Sequence, residues 1–150
     1  SLRRQRQMCI RDRYWSDPHN QSMEYARVRV REKVLPLMEA EIGPGIADAL
    51  SKSAKLLRDD ADALDEWAEE VFDELDSTEL DIEMLASLPR AIRSRVIRKA
   101  VYLAGAPSGS LSAEHIEAVE ALVTAWKGQG PVSLPGGVTV SRISGRLSLS

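Results

Sequence analysis

At 150 residues, with 43% apolar and 29% charged residues, the chain has the make-up of an ordinary globular domain, which excludes the disordered and membrane-embedded classes. The longest uncharged apolar run, Val34 to Met38, is too short to span a bilayer, and the single Cys9 cannot form an internal disulfide, so a reducing cytoplasm is the expected location. The net charge of −3 conceals a segregation: residues 1–33 hold nine Lys/Arg against four Asp/Glu, residues 39–83 hold three against sixteen, and residues 84–150 hold eight against three.

Residues 1–13 show no folding pattern. Met8-Cys-Ile-Arg-Asp-Arg13 resembles the translation of a sequencing-library adaptor, so this stretch is expected to be a non-native leader, in which case the reading frame continues upstream of Tyr14; a natural basic arm is the alternative. Asp17-Pro-His-Asn20 is turn chemistry. Ser22 then suits the cap of a helix running toward Glu41, which Pro36 should kink or split, and Gly43-Pro44-Gly45 should end it. From about Ile46 to Asp76 the spacing predicts the longest helix. Leu50, Ala54, Leu57, Ala61, Leu64, Ala68, Val71 and Leu75 fall on one stripe, and acidic residues cover the other faces. Those carboxylates read as a solvated back; no metal site is expected from them.

Ser77 to Leu88 reads as a connector with a short extended or single-turn piece around Leu80 to Ile82. A helix is expected from about Pro89 to Ala104, with Ile92, Val96, Ala100 and Leu103 as its core stripe and Gly105 at its end. Ser112 suits the cap of a last helix whose apolar face is Ile116, Val119, Leu122, Val123 and Trp126, ended by Gly128. From Pro131 the period changes to two: Val138 and Val140, then Leu147 and Leu149, flank the turn Ser144-Gly145. The fold expected is mainly α, a helical bundle with one long amphipathic helix and a small C-terminal antiparallel β meander. No repeat is apparent.

No glycine-rich strand-to-helix loop, Walker-type Lys or Ser-Gly-Gly-x-Asp-Ser signature occurs, and Gly136-Gly137 reads as a hairpin bend. Neither His19 nor His115 has the companions of a catalytic triad or a zinc site. The chain is therefore expected to be catalytically silent by itself. Its basic regions are either solvated faces or the footprint of a polyanion, because phosphate contacts depend on local Lys/Arg density and not on the overall charge. Arg27 and Arg31, four apart, share a helical face and suit bidentate phosphate contact, while Arg90, Arg93, Arg95, Arg98 and Lys99 form a second cluster. Pairing of Arg27 or Arg31 with Asp17 or with the acidic helix is the structural alternative.

Asp17, Asn20, Arg27, Arg31 and Pro36 stand at the spacing D-x-x-N-x6-R-x3-R-x4-P, followed by Leu88 to Arg98 and by His115 to Gly137 with its Leu-Pro-Gly-Gly turn. In this order the segments resemble the C-terminal part of bacterial, actinobacterial-like tRNA(Ile)-lysidine synthetases over about residues 14–149; Val28 stands where many members have Asn. After the leader 1–13, the resemblance implies two regions: a seam helix 14–42 from the ATP-binding domain, and a helical tRNA-binding domain 43–150 ending in a β hairpin. It also implies an ATP-dependent ligase whose ATP and Mg are bound by that other domain. The base of the wobble cytidine is adenylated, and free lysine then displaces AMP. The implied partner is tRNA(Ile) with a CAU anticodon, with no membrane and with a homodimer left open. Asp17, Asn20, Arg27 and Arg31 would position substrate at the seam, and Arg90, Arg93, Arg95, Arg98 and Lys99 would lie on tRNA. A free-standing helical RNA-binding module and a helical protein-interaction domain are the alternatives.

Overall fold

The computed structural model describes residues 22–75 and 78–150. The leader 1–13, Asp17 and Asn20 lie outside the described residues. By its internal contacts the chain divides into two compact units, one up to Lys55 and one from Leu56 onward.

The first unit contains helix α1 (Ala26–Arg29), a wide π turn (Val30–Val34) and helix α2 (Leu35–Glu41). Residues before α1 form a turn instead of the expected helix start at Ser22. Tyr25 N–H donates to Ser22 O, and the Arg29 guanidinium donates to Met23 O at 3.0 Å and Glu24 O at 2.6 Å. Pro36 accounts for the π turn. Its ring would collide with the carbonyl four residues back and it has no N–H to offer, so the chain widens by one residue just before it and Leu35 N–H reaches Val30 O. The run therefore bends without breaking, and Pro36 sits in the first turn of α2, where its missing N–H costs nothing.

Helix α3 (Ile46–Asp73) starts after Gly43 and Gly45, both at positive φ. Its first N–H groups lack intrahelical acceptors, and Glu39 supplies them: the carboxylate accepts from Gly45 N at 2.6 Å and from Ala47 N at 2.7 Å. Replacing Glu39 by Ala should cost the start of α3 about 1 kcal/mol. Amide hydrogen exchange is expected to speed up at Ala47 to Leu50; unaltered exchange there would remove Glu39 from this role.

The expected stripe along α3 is covered only in its second half. Leu50 and Leu57 are exposed, whereas Leu64 and Val71 are half-buried and Ala68 is buried together with Phe72, which the expectation had left off the stripe. Within the second unit, α3 is followed by strand β1 (Glu79–Asp81) and helices α4 (Ile82–Ser87), α5 (Arg90–Leu103) and α6 (Ala113–Thr124). Strand β2 (Val132–Ser133), a 3-10 turn (Pro135–Gly137), β3 (Thr139–Ile143) and β4 (Arg146–Leu149) complete it. The four strands form one antiparallel sheet in the order β1-β4-β3-β2, with Leu80 opposite Leu147 and Arg142 also opposite Leu147. The extended piece expected around Leu80 is β1, which joins the C-terminal meander, and Asp81 caps α4 by accepting from Met84 N at 2.9 Å, so residues 78–88 are more than a connector.

Helix α5 is central. Ile92, Val96 and Ala100 are buried as expected, but so are Ile97 and Val101, while Leu103 is exposed. A helix covered on two sides carries a broader apolar stripe than a surface helix, so the spacing of one face alone misplaces its last member. It ends in a Schellman motif, with Ala106 N–H donating to Val101 O and Gly105 N–H to Tyr102 O, Gly105 taking the left-handed conformation. Helix α6 opens on a capping box in which His115 takes the part usually played by Glu: its Nδ1 accepts from Ser112 N at 3.1 Å, and Ser112 Oγ accepts from His115 N at 3.3 Å. It stops four residues before Gly128. Gln129 donates to Ala121 O and Ala125 O, and Arg142 donates to Leu122 O at 2.8 Å, so side chains satisfy the last carbonyls. Trp126 consequently lies off the helix, partly exposed, with the Arg142 guanidinium 5.3 Å from its ring centre.

Candidate nucleic-acid interface

The first cluster lies in α1 and the π turn. Arg27, Arg29 and Arg31 are exposed, while Val28 between them is buried. The Arg27 guanidinium lies 6.0 Å from the Tyr25 ring centre, Arg29 closes the preceding turn, and Arg31 pairs with its neighbour Glu32 at 2.8 Å. Arg27 and Arg31 carry further interactions.

The second cluster rides on α5 and meets carboxylates on both sides. Toward α6, Arg90 reaches Glu117 at 2.9 Å and Glu120 at 3.4 Å, and Arg93 reaches Glu120 at 3.3 Å. Toward α3, Arg95 pairs with Asp65 at 2.5 Å, and Lys99 pairs with Glu69 and, at 3.8 Å, with Asp73. Lys99 Nζ also sits 4.7 Å from the Phe72 ring centre. Among the described residues no carboxylate pairs with Arg98. Its guanidinium donates to Leu111 O at 3.2 Å, and it borders two open grooves. One, of about 370 Å³, has Arg95, Arg98 and Lys99 facing Asp65 and Glu69; the other, of about 440 Å³, runs between Arg90, Ser94, Arg98 and Glu117.

The five cations differ in what holds them. Arg93 is 11% exposed and Glu120 only 7%, and Arg93 also donates to Leu85 O and Leu88 O, tying the end of α4 to α5 and α6. That position suits a structural clamp. Arg90 is open to water, at 68% exposure, and its high pKa is raised further by its hydrogen bond to Glu120 first and to Glu117 second. Arg95 and Lys99 are about a quarter exposed, but their partners Asp65 and Glu69 are 65% and 61% exposed. Such pairs sit in high dielectric and are weak, on the order of 0–1 kcal/mol.

Glu120 was not anticipated from the sequence. It could have been: Ile116, Glu120 and Val123 lie at helical spacing on the face that faces the core, and a carboxylate placed there needs a buried partner.

Gly136 of the chain's lone Gly-Gly pair serves packing: a Cβ there would lie 2.8 Å from Pro107 Cδ and 2.9 Å from Gly105 O. No group of three or more His, Cys, Asp or Glu with metal-binding geometry occurs among the described residues, and no helix there is long and apolar enough to cross a membrane.

Fold and charge define the class: a small unit of helices over a four-stranded antiparallel sheet, presenting a basic helix between two grooves. Residues 80–148 match the family described as the TilS substrate binding domain. The chain is 49% identical over 138 residues to a tRNA(Ile)-lysidine synthase of Thermobifida fusca, covering 91% of this chain and 43% of that protein. It is 47% identical over 135 residues to one of Streptomyces coelicolor (89% and 38%) and 48% identical over 141 residues to one of Leifsonia xyli subsp. xyli (89% and 41%). The match to the TilS substrate binding domain and the similarity to these synthases fall on the same stretch of chain. It spans about two fifths of the length of the curated relatives it matches.

Proposed function

We propose that this chain is the tRNA-holding part of a tRNA(Ile)-lysidine synthase, an ATP-dependent C–N ligase that joins free lysine to the wobble cytidine of the CAU-anticodon isoleucine tRNA in the cytoplasm. The observation that carries this reading is the similarity to proteins of that name over about nine tenths of the chain. ATP with Mg would be bound by the catalytic domain of such a synthase, outside the residues described. The work left to the residues described is to bind and orient RNA.

In this reading Arg27 and Arg31, with Asp17 and Asn20 on the seam segment 14–42, position substrate for the catalytic domain. Arg98 takes phosphate on the second surface, within the region 43–150. Arg90, Arg95 and Lys99 join it by exchanging exposed carboxylates for phosphate oxygens, and Arg93 acts through Glu120, holding α5 and α6 in place. Arginine suits both sites, because its planar fork takes two phosphate oxygens at once.

The test is tRNA binding as a function of salt, with a CAU-anticodon tRNA(Ile) transcript and the whole chain. Each phosphate contact contributes about one unit to the slope of log affinity against log salt. Arg27→Ala/Arg31→Ala should weaken binding by roughly tenfold or more and flatten the slope by about two, and Arg98→Ala should flatten it by about one. Unchanged affinity in folded variants would point instead to a protein-interaction scaffold.

A further inference from the structure

The ion pairs between α3 and α5 run in register. Asp65 and Glu69 are one turn apart on α3, and Arg95 and Lys99 are one turn apart on α5, so two anions spaced by about 6 Å along one helix face two cations at the same spacing. The same four side chains line the groove that Arg98 borders. One wall of that groove is cationic and the other is anionic, and the anionic wall is the more exposed of the two.

We propose that Asp65 and Glu69 are built-in counterions that stand in for phosphates in this groove and must be displaced before RNA can occupy it. The proposal rests on the RNA-holding reading above and adds a control on it. With Arg95 and Lys99 satisfied internally, Arg98 is the one cation of α5 that no carboxylate holds among the described residues. A single phosphate at Arg98 gains too little to dislodge two carboxylates. A ligand presenting several phosphates in a row replaces both at once: each phosphodiester matches a carboxylate's single charge, the charges are tethered on one strand, and the polyanion releases condensed counterions as it binds. Two features make the exchange feasible. Both carboxylates are mostly in water, so they can rotate out and be rehydrated, and Lys99 keeps the Phe72 ring under its ammonium whichever anion it faces. The groove therefore admits a polyphosphodiester strand and resists isolated anions.

The experiment compares three proteins in tRNA binding at about physiological salt: the unaltered chain, Asp65→Asn/Glu69→Gln, and Glu66→Gln/Glu70→Gln. The last changes net charge equally on the same helix at exposed positions that make no ion pair with α5 among the described residues. The expected result is at least fivefold tighter binding by Asp65→Asn/Glu69→Gln than by the other two, with inorganic phosphate binding none of them measurably. Equal affinity for the two double variants overturns the proposal, because the effect would then be net charge alone. Should Asp65→Asn/Glu69→Gln fold poorly, the Lys99 Nζ resonance of the unaltered chain serves instead. It should move on titration with tRNA and stay in place with inorganic phosphate, and an unmoved resonance at saturating tRNA also overturns the displacement. Failure of this proposal is distinct from failure of the RNA-holding reading. In the first case Arg98→Ala still weakens tRNA binding; in the second it does not.

Discussion

Replacing Glu120 by Ala should lower the unfolding free energy of the second unit by about 3–5 kcal/mol, the penalty typical of breaking a buried ion pair by removing one partner. The reason lies in what remains. Arg93, 11% exposed, keeps its hydrogen bonds to Leu85 O and Leu88 O but loses the only carboxylate that balances its charge among the described residues. Arg90 contributes little to the loss, because its guanidinium is already in water. The Arg93–Glu120 pair itself need not be a net source of stability, since two charges were desolvated to make it and its contact, at 3.3 Å, is long. An apolar double variant, Arg93→Met/Glu120→Leu, is accordingly expected to be more stable than Glu120→Ala. Urea denaturation followed by circular dichroism checks both, and a loss below about 1 kcal/mol for Glu120→Ala would show that Arg93 does not depend on it.

The second large effect is expected at Gly136. It adopts φ of +83°, and a methyl group there would meet Pro107, Gly105 O and Ala106 Cα within about 3 Å, two of these contacts being backbone that has no rotamer to yield. Gly136→Ala combines a left-handed alanine with overpacking and should cost about 2–5 kcal/mol. Gly137, at φ of +80°, has open space around its Cβ position, so Gly137→Ala should cost only about 1 kcal/mol. The contrast between the two neighbours is the decisive measurement, read as a difference in unfolding midpoints. Equal losses would mean that backbone conformation alone selects glycine here. The Leu-Pro-Gly-Gly turn is thus more than a bend: it seats the β2–β3 connection against the loop that follows α5.

These two residues also mark where the sequence was readable and where it was not. Periodicities are local, and they placed α5 and α6 and the hairpin about Ser144-Gly145 within a few residues. The capping glycine Gly105 and the capping Ser112 were legible for the same reason, since each acts within one turn. Strand β1 was not legible as part of the sheet, because three residues carry almost no alternation and their partners lie more than sixty positions away. Helix α4 is six residues long, too short to show a 3.6 period. Trp126 was misplaced because Gln129 and Arg142, not Gly128, terminate α6.

The two basic clusters were visible as arginines at helical spacing, but their state of charge balance was not. Nothing in the pattern of α3 alone says that Asp65 and Glu69, out of nine acidic residues on its polar faces, would meet Arg95 and Lys99. That assignment depends on the rotation of one helix against another, which the packing of Ala68 and Phe72 decides.

Strand β4 is the last element of the chain described, yet it is an interior strand, bracketed by β1 on one edge and β3 on the other. A nascent chain emerging in order therefore exposes Leu80, with its N–H and C=O groups unpaired, through the synthesis of three helices and two further strands. Only when residues 146–149 become available can the sheet zip shut across that long interval, so a chain cut before residue 146 should be an open-edged, aggregation-prone precursor and not a slightly shorter domain.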